Sequence, residues 1–167
     1  MLRSRHSILA LTLLVAVGAC SDSDDGTSPD QNPLDALVGS YTTQSFVYTA
    51  HANAELTTGN LVQAGFGITT LTLAAAGTFS GELTLPIAGV PTTLQITGNV
   101  SDVTATSLTI NFDPPAGELL TNPLPVTYTL TGDVLSFSAN NVNFDYSIVG
   151  GPSGDVPSLL EMVLLRS

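Results

Sequence analysis

Two residue types in this 167-residue chain could carry nucleophilic or metal chemistry: a single cysteine, Cys20, and two histidines, His6 and His51. A Ser–His–acid set needs the imidazole held beside one serine and oriented by a carboxylate. No Gly-x-Ser-x-Gly elbow occurs, and nothing around His51 supplies that pairing. A zinc centre takes several His or Cys ligands, and from Cys20 onward the chain offers one of each. Glycoside hydrolysis needs two carboxylates converging in a cleft. Glu82, Asp102, Asp113, Glu118, Asp133, Asp145 and Glu161 instead stand singly, at turns or outward strand positions. Asp22, Asp24 and Asp25 form an acidic cluster, but the calcium-loop spacing with its distant glutamate is missing. The expectation is a non-enzymatic protein with no catalytic residue, metal ligand or cofactor motif.

Cys20 stands apart through its position. It ends the run Leu14-Val15-Ala16-Val17-Gly18-Ala19-Cys20, which follows Arg3, Arg5 and an apolar stretch from Ile8 to Val17 broken only by Thr12. That stretch is too short for a spanning helix, which takes about 20 apolar residues. A basic start, a short apolar core and small residues before a cut are the parts of a secretory signal. The run resembles the lipobox of bacterial lipoproteins. The resemblance implies that residues 1–19 are a removed signal peptide and that Cys20 is the lipidated residue, carrying diacylglycerol and a further acyl chain such as palmitate. Two or more chains anchor firmly where one does not, so a membrane is the first expected partner. Ser21 rather than Asp follows the cysteine. In well-studied Gram-negative lipoproteins Asp at that place holds the protein in the inner membrane, so the expected address is the cell envelope, at the outer membrane.

Residues 20–33 form the next unit. After Cys20 the segment Ser-Asp-Ser-Asp-Asp-Gly-Thr-Ser-Pro-Asp-Gln-Asn-Pro has no apolar residue and four carboxylates. Such a segment buries nothing and reads as a disordered acidic tether. All fourteen Asp and Glu lie beyond Cys20, together with one basic residue, Arg166. Nucleic acids and anionic lipid headgroups need clusters of Lys and Arg, so neither is an expected partner. Residues 34–167 suffice for one domain with its own core.

Within that domain apolar residues alternate with Thr, Ser, Asn and Gln at period two. Phe79, Leu83 and Leu85 share a face, as do Leu94, Ile96 and Val100; Leu108, Ile110 and Phe112; Val126, Tyr128 and Leu130; and Phe144, Tyr146 and Ile148. The pattern predicts half-buried strands, with Thr, Val, Ile and aromatics suited to a pleated surface. Eight or nine are expected: about 40–49, 66–74, 77–85, 92–100, 105–112, 125–131, 134–139, 142–149 and 159–166. Ala75-Ala76-Gly77, Gly89-Val90-Pro91 and Gly132-Asp133 mark tight turns. Longer loops are expected at 51–59, 114–123 and 150–157, where prolines and glycines exclude regular strand. The last strand, Leu159–Leu165, is apolar on both faces except at Glu161. It needs covering on both sides, with Leu34, Leu37 and Val38 as candidates. Short connections predict an all-β antiparallel meander, which hides its edges as a closed barrel or a β-sandwich.

Gly39-Ser40-Tyr41 looks like the Gly-x-Trp motif that enters the first strand of lipocalin-like domains, with Tyr for Trp. The runs Leu71-Thr72-Leu73…Gly77-Thr78-Phe79 and Tyr128 to Phe137 also look like hairpins of bacterial lipocalin-like lipoproteins. The resemblance implies the closed barrel. It also implies that Arg166, ending the last strand, packs over Tyr41 beside Gly39 and closes the barrel bottom.

Two functions are compatible with these residues. One is a binding module holding a small hydrophobic ligand among inward positions such as Leu83, Ile96, Ile110 and Val126, in a pocket of several hundred cubic ångströms. The other is a structural or protein-interaction module of the envelope, marked by an exposed apolar patch and no ligand cavity. The sequence names neither the ligand nor a protein partner.

Overall fold

The computed structural model describes residues 32–167 apart from 88, 89 and 115. The expected signal peptide, Cys20 and the part of the expected tether before Asn32 lie outside the described residues. Eight antiparallel strands close into a barrel in the order of the chain: β1 (Gly39–Ala50), β2 (Gly67–Leu73), β3 (Thr78–Ile87), β4 (Val90–Ser101), β5 (Ser107–Phe112), β6 (Leu124–Thr131), β7 (Val134–Asp145) and β8 (Asp155–Arg166). Closure is made by β1 on β8, from Tyr41↔Arg166 to Ala50↔Ser158, with a bulge between Thr43 and Ser45. The barrel, not the sandwich, is therefore how this meander removes its edges.

The runs expected at 134–139 and 142–149 are one strand. Both halves of β7 pair with β8 on either side of a bulge between Ala139 and Val142, where Asn141 takes φ 59°. Asparagine tolerates this left-handed conformation better than most residues. The strand stops at Asp145, and Tyr146–Val149 form a single 3-10 turn. The alternation of Phe144, Tyr146 and Ile148 thus runs past the end of the strand. Asp145 accounts for the stop: its Oδ1 accepts from the Ser147 amide at 2.9 Å and the Gly154 amide at 3.2 Å.

Those bonds, led by the one from Ser147, hold the Asp145 carboxyl below the usual carboxylate range. A group with a depressed folded-state pKa contributes stability above its unfolded pKa of about 3.9 and loses it as pH falls through the folded value. The Ser147 and Gly154 amides should therefore lose hydrogen-exchange protection below about pH 4, and Asp145→Asn should weaken that pH dependence.

Three other boundaries differ from expectation. β8 begins at Asp155 and carries Pro157 opposite Asn143, and β6 carries Pro125 opposite Thr109. Both prolines sit near the start of their strands, where a missing amide disrupts least. The β3–β4 hairpin is longer than expected, pairing Pro86 with Pro91 and Ile87 with Val90. Finally, Pro33–Leu37 form a short helix, α1. Asn32 Oδ1 accepts from the Leu34 amide at 3.1 Å, with Pro33 at the first helical position.

α1 does not cover the outside of β8. Leu34 and Leu37 are buried at the barrel end where β1 begins, and Leu37 faces the interior. The outward row of Leu159, Val163 and Leu165 stays at the surface, with Leu165 and its partner Val134 each 39% exposed.

Candidate functional site

The floor of the barrel is built on the ends of β1 and β8. The Arg166 guanidinium donates from Nε (3.2 Å) and Nη2 (2.8 Å) to the Tyr41 hydroxyl, and from Nη2 to the Ala36 carbonyl. Its central carbon lies 5.4 Å from the centroid of the Tyr41 ring. The Tyr41 hydroxyl in turn donates to the Leu37 carbonyl at 2.6 Å. Gly39 leaves room for the arginine, since a Cβ there would sit 3.0 Å from Arg166 Nε. One guanidinium thus ties the last strand to the first and to the helix that plugs this end. Cys20 lies outside the described residues.

Above that floor the barrel encloses a cavity of about 130 Å³. Its wall is apolar almost throughout, and Leu83, Ile96, Ile110 and Val126, the inward positions read from the alternation, all line it. It is smaller than the several hundred cubic ångströms expected. Phe46, Tyr48, Phe79, Phe112, Tyr128 and Phe137 also turn inward and occupy much of the lumen. Among the described side chains, none that lines it is charged. Burial, with a smaller contribution from neighbouring Tyr146, pushes the Tyr48 phenol well above its usual pKa, so it stays protonated.

Thr121, an exposed residue, also lines the cavity. β5 is short and pairs with β4 only from Gly98 to Ser101, so the first part of β4 has no β5 partner. The loop after β5 covers this gap through a second short helix, α2 (Ala116–Leu119), packed on β4 and β5. It is fastened twice. The Asp113 amide donates to the Thr97 carbonyl at 2.8 Å. The Asn122 side chain accepts from the Phe112 amide and donates to the Phe112 carbonyl, both at 3.0 Å. Asn122 thereby imitates a strand partner, which alternation could not reveal, although an Asx residue beside prolines is a turn signal.

The residues weighed for chemistry do not converge. His51 is exposed, and its Nε2 accepts from the Asn141 amide at 3.2 Å while its own amide donates to the Pro157 carbonyl. It stitches a loop to β7 and β8. Glu82 accepts from Gln95 on the neighbouring strand, and Asp102 from Ser101. Among the described residues no group of three or more His, Cys, Asp or Glu comes together. Compared with protein-family models, with curated proteins and with solved structures, the chain finds no match in any of the three.

Proposed function

We propose that this protein is a lipid-anchored, non-enzymatic envelope protein whose lipocalin-like barrel binds a small, uncharged, hydrophobic molecule. The observation that carries this reading is the apolar cavity, whose described lining holds no charged side chain. The lipobox-like run ending at Cys20 supports the anchor, and the Gly39, Tyr41 and Arg166 cluster supports the lipocalin-like reading. Cavity size limits the ligand. An engineered apolar cavity of about 150 Å³ in another protein takes up benzene, so one ring or a short branched chain fits here. At roughly 0.8 kcal/mol per buried CH₂, a seven-carbon ring compound gains about 5 kcal/mol, a Kd on the order of 0.1–1 mM.

Filling the cavity tests the proposal. Val126 is buried and lines the wall, and Val126→Phe places a ring where the ligand would sit. Methylcyclohexane should bind the variant at least tenfold more weakly than the parent, with the circular dichroism of the folded barrel retained. Equal binding to both would place the ligand elsewhere and sink the reading.

The second reading, an interaction module, rests on the outward row of Leu159, Val163 and Leu165 with Val134 beside it. A partner captured from envelope extracts and lost on Leu165→Glu, together with no binding of methylcyclohexane, would favour it.

A further inference from the structure

Four tyrosines belong to the barrel, and three of their hydroxyls have protein partners. Tyr41 donates to the Leu37 carbonyl and Tyr128 to the Thr104 carbonyl, each at 2.6 Å, while Tyr146 shares a hydrogen bond with Ser158 at 3.1 Å. Tyr48 is the exception. Its side chain is 7% exposed, and its ring stacks on Phe144 with centroids 4.2 Å apart. Its hydroxyl has no hydrogen-bond partner among the described residues. Nor is that oxygen sealed off, because no fully enclosed side-chain N or O among them lacks a partner. Tyr48 itself lines the cavity. Buried polar groups in folded proteins are almost always paired, and a lone phenol in an apolar wall is a recognition element waiting for its complement.

We propose that the cavity's ligand carries one neutral oxygen acceptor, as in a ketone, aldehyde, ester or ether, which accepts a hydrogen bond from the Tyr48 hydroxyl while the rest of the molecule is apolar. This rests on the reading of the cavity as a ligand site. A pure hydrocarbon would leave the hydroxyl unpaired. A carboxylate would enter a wall with no compensating cation, at a prohibitive desolvation cost. Arg166, the cation nearest in the fold, is engaged at the floor with Tyr41 and Ala36. A lone water needs two to four polar partners. Of the other polar groups on the lining, the Tyr128 hydroxyl is already committed to the Thr104 carbonyl, and Thr121 is exposed. Held protonated by burial, Tyr48 is a donor at every physiological pH.

The experiment compares cyclohexanone with methylcyclohexane, which exchanges the carbonyl oxygen for a methyl group at nearly equal size. Both are titrated into the wild-type protein and into Tyr48→Phe. Wild type should bind both. Tyr48→Phe should weaken cyclohexanone by about tenfold, the size of one lost hydrogen bond, and leave methylcyclohexane unchanged or tighter. The ligand-free variant should melt at the wild-type temperature or above it, since no protein hydrogen bond is removed. Three results would overturn the assignment: equal responses of the two ligands to the substitution, a fall of several degrees in the variant's Tm, or a water on the Tyr48 hydroxyl that cyclohexanone does not displace. If wild type binds methylcyclohexane but shows no Tyr48-dependent gain for the ketone, this inference fails and the cavity reading stands. If it binds neither, both fall.

Discussion

Gly98→Ala should destabilise the barrel by about 3 kcal/mol or more, the upper end of what overpacking a core costs. Gly98 is buried on β4, paired with Phe79 on one side and Phe112 on the other. A Cβ there would lie 2.0 Å from the Asn111 carbonyl oxygen and 2.8 Å from the end of the Phe79 ring. The phenyl ring can swing aside into the cavity, but the carbonyl belongs to the β5 backbone. Relief therefore means parting β4 from β5, whose ladder has only four residue pairs. A urea melt should show a clear fall in midpoint, and chymotryptic cleavage should move first into 105–123, at Leu108 and Phe112. A midpoint equal to wild type would show that the two strands do not approach as described.

Arg166→Ala should cost about 2 kcal/mol. Hydrogen bonds to charged groups contribute roughly 1.5–3 kcal/mol and cation–aromatic packing about 0.5–2. The side chain is half-buried, so solvent screening sets the total near the lower end. The loss should follow from the tie across the seam: without the guanidinium, neither the Tyr41 hydroxyl nor the Ala36 carbonyl is held to β8. Arg166→Lys should recover less than half, because one ammonium cannot reproduce a planar fork that reaches two acceptors and also stacks. Tyr41→Phe should share most of its effect with Arg166→Ala, so the double variant should fall short of the summed losses by about 1 kcal/mol. Strict additivity in thermal melts would contradict a coupled floor.

Strands were legible because a barrel wall is wet on one side and packed on the other, which period two records directly. The register of Leu83, Ile96, Ile110 and Val126 to the interior follows from that alone. Features that break the period were not legible. Asn140-Asn141 reads as the gap between two strands, yet it is a bulge within β7. Tyr146 continues the alternation but sits in a 3-10 turn, because an Asp145 carboxylate bonding two amides outweighs the pattern. α1 carries a signature in Asn32-Pro33, but a five-residue helix has no apolar period to show. The floor cluster was visible only through the resemblance at Gly39-Ser40-Tyr41 and through Arg166 being the domain's one base. Cavity size depends on how far each aromatic ring reaches across the lumen. The unpartnered Tyr48 hydroxyl is a property of three-dimensional surroundings, so no spacing announces it.

The most direct test of the ligand-binding barrel is a methyl NMR titration of the folded protein with methylcyclohexane. Saturable shifts at Leu83, Ile96, Ile110 and Val126, with the outward methyls of Val134 and Leu165 unmoved, are the predicted result. No saturable shift, or shifts confined to the outward methyls, would contradict it.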